Sequence, residues 1–239
     1  MTQTVLHKSN TRGHANHGWL DAHHSFSFAG YHNPSRMHFG ALRVLNDDKI
    51  DAGMGFGNHP HDNMEIITIP LSGQLSHRDS MGNNSVIKAG EIQVMSAGTG
   101  IEHSEFNSSA TEALSLLQIW LFPNKRHVVP RYDQQSIDFD QSPNTLKQIL
   151  SPNKDDEGVW IYQNAWFHLG QFDKNFETEY TVKLKGNGVY VFVINGDITI
   201  NDQVLNTRDA YGLWDTSSFK LKSESDGSKV LVMEVPMEF

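Results

Sequence analysis

The strongest constraint on how this chain folds is a succession of short strand-like segments separated by turns rich in glycine and asparagine. Residues 64–72 and 113–122 form apolar runs with many β-branched side chains. A hairpin is indicated where residues 74–78 and 85–88 flank the turn at 79–84. Helical periodicity is almost absent, so the sequence predicts an all-β sandwich or barrel.

A polar stretch rich in glutamine and aspartate separates two such β-rich blocks. We therefore predict a first domain over residues 1–130, a connector over 131–150 and a second domain over 151–239. The connector is expected to contain a short helix near residues 145–150. The chain has 239 residues, enough for one large all-β domain or two small ones, so this division depends on the pattern and not on length. Similar turns in the two blocks indicate a weak internal duplication.

Two pairs of candidate metal ligands occur in the first block. His59 and His61 are two residues apart, and so are His103 and Glu105. In a β-strand such residues project from the same face. A lone His-x-His is more often a surface turn than a ligand pair, but the second pair favours a metal site. Three neutral imidazoles and one carboxylate suit a divalent first-row metal and leave coordination positions open.

The distribution of histidine and cysteine narrows the kind of site. Eleven of the 13 histidines lie at or before His103, and the second block has neither ligand pair, so we predict one metal ion per chain. The absence of cysteine excludes thiolate ligands and disulfides. Several early histidines have irregular spacing, which favours surface roles or roles beside the site over ligation; these are His14, His17, His23 and His24.

Charge and hydropathy exclude other classes of function. The formal net charge of −9 argues against direct nucleic-acid binding, because phosphate contacts depend on lysine and arginine. No apolar run is long enough to span a bilayer; the longest, residues 189–194, has the length of one strand. The first residues show no signal-peptide pattern, so we expect a cytoplasmic protein.

The ligand pairs lie within longer motifs. Gly53, His59, His61 and Glu65 have the spacing of the first cupin motif, and the second motif is matched by Gly90, Gly98, His103 and Asn107. Ser96 replaces the usual proline of the second motif, and two extra residues precede its histidine. These departures are typical of pirins, which the chain resembles over its whole length, including Arg12-Gly13, the stretch 19–29, His77-Arg78-Asp79 and 117–120. It is most similar to the shorter bacterial members.

The resemblance implies a bicupin, which is two β-sandwich or jelly-roll barrels packed in one chain, with metal only in the N-terminal barrel. It implies His59, His61, His103 and Glu105 as metal ligands. Glu65 is a competing ligand, because ordinary cupins use that position and its spacing from His59 and His61 gives it the same strand parity. Fe(II) is the first choice of metal, while Ni, Cu, Mn, Co and Zn also tolerate these ligands.

Some bacterial pirins resemble quercetin 2,3-dioxygenases in activity, which implies a flavonol-like substrate and O2. Glu105 or Glu65 would accept the proton of the substrate hydroxyl, and the candidate pocket walls are Phe26, Phe56, Met95, Gln118 and Trp120. The alternative is a metal-bound redox sensor or protein-interaction partner, as animal pirins are described. A weaker one is a sugar-binding or isomerase cupin. An enzyme needs an open pocket above the metal. Because one bicupin chain contains both barrels and can do without a dimer partner, we expect a monomer.

Overall fold

The computed structural model describes residues 1–137 and 143–239. The first part of the chain contains a short 3-10 turn at Ser9–Thr11 and twelve strands: β1 Gln3–His7, β2 Gly13–Asn16, β3 Leu20–His24, β4 Leu42–Ile50, β5 Gly55–His61, β6 Glu65–Ser72, β7 Gln74–Asp79, β8 Asn84–Lys88, β9 Glu91–Ser96, β10 Ile101–Asn107, β11 Leu114–Leu121 and β12 Arg131–Ser136.

The second part adds ten strands among the described residues: β13 Leu146–Ser151, β14 Val159–Trp160, β15 Trp166–Phe172, β16 Glu177–Thr181, β17 Asn187–Asn195, β18 Ile198–Ile200, β19 Gln203–Leu205, β20 Ala210–Trp214, β21 Ser218–Ser223 and β22 Ser228–Pro236. No helix in these residues is long and apolar enough to cross a bilayer.

The strands form two barrels, each made of one large and one small sheet. The N-terminal barrel combines a seven-stranded sheet of order β12-β9-β6-β11-β4-β3-β2 with a four-stranded sheet of order β5-β10-β7-β8. The C-terminal barrel combines the seven strands β1-β20-β17-β22-β15-β13-β14 with the four strands β16-β21-β18-β19. This is the all-β bicupin fold that the sequence predicted.

The two large sheets pack against each other, and this packing explains the longest apolar run of the sequence. Val189, Val191 and Val193 of β17 belong to the core inside the C-terminal barrel. The alternate side chains Tyr190 and Phe192 belong to the core between the large sheets. Both faces of β17 are therefore buried, and a strand buried on both faces has no polar alternation.

Strand β11 shows the same alternation in the N-terminal barrel, but its inner face lines a cavity, whereas the inner face of β17 packs in a core. Leu117 and Ile119 pack in the core between the large sheets. Leu116, Gln118 and Trp120 point the other way and line a cavity inside the barrel. The apolar run at 113–122 is thus a strand that contributes to the main core on one face and to a cavity on the other.

The predicted connector differs from the observed structure. Its first residues form β12, which pairs with β9 at the edge of the N-terminal sheet. The helix predicted near residues 145–150 is wrong: residues 146–150 lie in β13, which pairs with β15 and buries Ile149 and Leu150 in the core between the large sheets. Edge strands face solvent on one side, and the resulting polar composition masked β12 in the sequence. The middle of the connector, residues 138–142, lies outside the described residues.

The start of the chain also departs from the predicted division into residues 1–130 and 151–239. Strand β1 pairs with β20 and so belongs to the large sheet of the C-terminal barrel. The chain then crosses through the 3-10 turn to β2 in the other large sheet. The ion pair of Asp47 with Arg208, 3.1 Å long, also joins the two halves, and Asp47 pairs at the same distance with Arg12 of the crossing segment.

Candidate metal centre

Two strands of the small N-terminal sheet carry the predicted ligands. β5 is antiparallel to β10, and His59 lies directly opposite His103. The register then shifts, so that Glu105 lies opposite Phe56. This bulge directs Phe56 and His59 into one cavity although they are an odd number of residues apart. Gly55 permits the close approach, because a Cβ there would clash with the carbonyl oxygen of Glu105.

The three histidines converge at one end of the barrel. The ring centroids of His59 and His103 are 4.4 Å apart, and the ring of His61 lies 4.9 Å from each of them. One nitrogen of each ring lies within 4.8 Å of the corresponding nitrogens of the other two. The structure therefore brings together all three histidines that the sequence singled out.

The electrostatics of the cluster keep the imidazoles of His61 and His103 neutral. Burial, reinforced by His59, lowers the pKa of His61 to about 4. Burial and the neighbouring histidines lower the pKa of His103 to about 2. His59 Nδ1 donates to the carbonyl oxygen of Gly57 at 2.8 Å, which leaves the Nε2 lone pair free. Neutral imidazoles with free lone pairs are the form that binds metal.

Unpartnered polar atoms show that this donor set fits a metal ion. Neither ring nitrogen of His103 has a hydrogen-bond partner among the described residues, and the same holds for Glu105 Oε1. Buried polar atoms without partners are costly, and coordination to a cation would satisfy them. Burial raises the pKa of Glu105 to about 7, and a hydrogen bond from Thr68 opposes that rise. Glu105 lies with His77 and His103 in a second group of ligand atoms within 4.8 Å.

His77 is a residue of the site that sequence reasoning did not assign. It lies on β7 opposite Glu105, and its ring centroid is 5.3 Å from that of His103. Its Nε2 is 3.1 Å from Asp79 Oδ2, and both side chains are fully buried. Burial alone would raise the pKa of Asp79, but hydrogen bonds from Asn83 and His77 lower it below its usual value. The sequence feature that could have identified His77 is its two-residue spacing from Asp79, the same spacing as in His59-Pro60-His61 and His103-Ser104-Glu105.

Glu65 is not brought to the histidines. It shares its face of β6 with Ile67, which packs in the core between the large sheets. Its carboxylate accepts a hydrogen bond from Ser96 Oγ at 2.6 Å, and a backbone hydrogen bond links it to Tyr162 of the other half. Burial raises the pKa of Glu65 to about 7, an effect that Ser96 partly offsets. Glu65 is thus outside both the histidine group and the cavity lining, which favours Glu105 over Glu65 as the ligand or base.

A largely apolar cavity of about 510 Å³ opens beside the histidines. His59, His61 and Glu105 contribute to its wall, and of the predicted wall residues it includes Phe56, Gln118 and Trp120. The Trp120 ring stands edge-on to His61 at 4.9 Å. The other two predicted wall residues lie elsewhere: Phe26 packs in the core between the large sheets, and Met95 is fully buried in the cluster behind Trp120.

Comparison with known proteins agrees with this architecture. Residues 5–121 match the family model described as Pirin, and residues 148–235 match the model described as Quercetinase C-terminal cupin domain. A protein of Escherichia coli (strain K12) named Quercetin 2,3-dioxygenase is 44% identical over 231 residues, which are 97% of this chain and 98% of that protein. This chain belongs to the pirin family.

Two further relatives extend the comparison, and the second bears on the candidate metal centre of this pirin. The Pirin-like protein of Caulobacter vibrioides is 36% identical over 220 residues, covering 92% of this chain and 94% of the relative. The crystal structure of the Escherichia coli pirin YhhW in complex with nickel(II) has a TM-score of 0.92 and 42% identity, covering 98% of this chain and 99% of that one. A pirin of nearly the same fold thus binds a divalent first-row metal, the class that the histidine cluster suits.

Proposed function

We propose that this pirin is a metal-dependent dioxygenase that cleaves quercetin or a related flavonol with O2. The observation that carries the proposal is the position of the three-histidine cluster at the wall of an open, aromatic-lined cavity. The relative named Quercetin 2,3-dioxygenase supports the same activity. In the proposed reaction both atoms of O2 enter the products, and the central ring opens with loss of a carbon as carbon monoxide.

We assign His59, His61, His103 and Glu105 as the residues that would hold the metal. A divalent ion at this site would supply a positive centre that lowers the pKa of a flavonol hydroxyl and binds its anion. Fe(II) is the proposed ion, because its redox chemistry suits O2. Nickel is the closest competitor, given the nickel complex of the E. coli relative.

The chain's own residues would orient the substrate and receive its proton. The aromatic walls formed by Phe56 and Trp120 favour a flat ring system and exclude water from the reacting face. Glu105 lines the same cavity, and its Oε1 has no hydrogen-bond partner within the described residues. We therefore assign Glu105 Oε1 as the atom that accepts the hydroxyl proton. Asp79 would hold His77, and through it the ring of His103, in one orientation.

The decisive experiment measures metal content, O2 uptake and flavonol loss together. The purified chain is loaded in turn with Fe(II), nickel, copper, manganese, cobalt and zinc, and each form is given quercetin under air. We expect turnover with carbon monoxide release, and loss of turnover and of the ion held beside the cavity in the double variant His59→Ala, His61→Ala. His32→Ala is the matched control, because that histidine is exposed and distant in sequence from the site.

An active double variant would contradict the proposal. Bound metal without turnover in any loaded form would also reject it, in favour of a metal-bound redox sensor or protein-interaction partner. We further propose that the chain works as a monomer in the cytoplasm. Light scattering would then give a mass near 26.9 kDa at all concentrations tested.

A further inference from the structure

A second group of ligand-type side chains lies away from the cavity, on the hairpin formed by β2 and β3. His14 of β2 is directly opposite His23 of β3, and Asn16 is opposite Asp21. Asp21 and His23 are two residues apart and so share one face of β3. The alternate residues of β3 are buried, so this face is the outer one.

The three side chains are already in contact. His14 Nε2 lies 2.6 Å from Asp21 Oδ1. The rings of His14 and His23 are stacked, with centroids 4.6 Å apart and an angle of 20° between their planes. One ligand atom from each of the three residues lies within 4.8 Å of the others. The side chains of His14 and Asp21 are 52% and 43% exposed, so a hydrated ion can reach them.

We propose that His14, Asp21 and His23 form a second binding site, for a late first-row divalent cation such as nickel or zinc. Two imidazoles and one carboxylate are a donor set that such ions prefer, and water can complete the coordination on the exposed side. The site is separate from the cavity, because its residues lie on the outer face of β3. The Arg12 guanidinium, the cation that acts on His23, is paired with Asp47 at 3.1 Å.

The position of the site gives the ion a structural role. β2 is the edge strand of its sheet and is paired there with β3. The chain before β2 leaves for the large sheet of the other barrel, where β1 pairs with β20. An ion bridging β2 and β3 would hold this crossing segment in place. Since it binds the folded hairpin and not the unfolded chain, it would raise the free energy of unfolding as its concentration rises.

The test counts nickel ions on the full chain by equilibrium dialysis and elemental analysis. We expect about two ions per wild-type chain and about one in the variant His14→Ala, His23→Ala. The variant His59→Ala, His61→Ala should also keep about one ion, and the fourfold variant should keep none. In the background lacking His59 and His61, nickel should raise the melting temperature, and Asp21→Asn should weaken that rise.

Two controls separate this site from nonspecific binding. His17→Ala removes an exposed histidine of the same segment and should leave the nickel count unchanged. His14→Ala, His23→Ala should keep its flavonol turnover when the cavity site is loaded, because neither residue reaches the cavity. A nickel count that does not fall when His14 and His23 are lost, in the wild-type background and in the background lacking His59 and His61, would overturn the proposal.

Discussion

Glu105 and Glu65 are both buried carboxyl groups with raised pKa values, yet their surroundings differ. Glu105 lines the cavity and has an oxygen without a hydrogen-bond partner among the described residues, whereas Glu65 accepts a hydrogen bond from the hydroxyl of Ser96. A buried carboxylate becomes a metal ligand only where other ligands converge with it. Position on the strand, and not residue type, therefore separates Glu105, the carboxylate that we propose as a metal ligand, from Glu65.

Substituting each of these residues by glutamine tests the distinction. Glu105→Gln removes the anionic donor, so we expect metal affinity to fall by about tenfold or more and flavonol turnover to fall with it. Glu65→Gln keeps an acceptor for Ser96 and should leave metal affinity unchanged. Nickel titration of both variants in parallel measures the difference. Equal losses in the two variants would mean that Glu105 acts only through the fold.

The pairing of His77 with Asp79 makes a second prediction. Asp79 accepts hydrogen bonds from two backbone amides of its turn, at Met81 and Asn83, so it is a rigid acceptor for the imidazole. Asp79→Asn should let the His77 ring reorient against His103 and weaken metal binding by about 10- to 100-fold. Competition titration against a chelator measures this. Arg78→Ala, on the exposed side of the same strand, should bind metal as the wild type does.

At the level of elements, the close approach of β5 to β10 decides whether the histidines meet. Gly55→Ala places a Cβ against the backbone of β10, and the strands must separate to accommodate it. Gly57→Ala is the matched control, because a Cβ there meets nothing within 4 Å. We expect Gly55→Ala to lose about 1–3 kcal/mol of stability and most of its metal affinity. Chemical unfolding and nickel titration should show neither effect for Gly57→Ala.

The two barrels of the molecule have different interiors. In the C-terminal barrel, valines of β17 pack against Ile198 and Leu221 of the small sheet, among other buried residues. In the N-terminal barrel, the apolar clusters around Leu75 and around Met95 are separate, and the cavity extends between their strands. The two barrels thus share one fold but differ inside: the C-terminal barrel is filled by apolar side chains, whereas the N-terminal barrel contains an open cavity.

A buried histidine in the C-terminal barrel makes the free energy of unfolding of the whole molecule depend on pH. Burial, with a contribution from Lys183, lowers the pKa of His168 to about 4. Its unfolded-state pKa is near 6.5, so the unfolded chain binds the proton more tightly. The stabilisation is therefore present above pH 6.5 and is lost as the pH falls toward 4. The slope is at most about 1.4 kcal/mol per pH unit for one histidine.

His168→Gln removes this titration. We expect the difference between the unfolding free energies at pH 6.5 and pH 5 to be smaller in the variant than in the wild type. Urea unfolding at the two pH values, with the same metal loading, gives the comparison. His7, whose pKa is also lowered to about 4 by burial and by Arg36, should keep its own contribution in both proteins. Parallel pH dependences for variant and wild type would contradict the assignment to His168.

The sequence by itself determined the all-β class and the histidine pairs, because strand alternation is a local property and His59-x-His61 is a pair within one strand. Only the tertiary structure decided whether the side chain of Glu65 lies with those of His59 and His61. The chain leaves the small sheet after His61 and turns at Asn63, whose φ is +44°, before entering the large sheet. Alternation does not carry across such a turn. His77 likewise joined the site through the pairing of β7 with β10, a contact between residues distant in sequence.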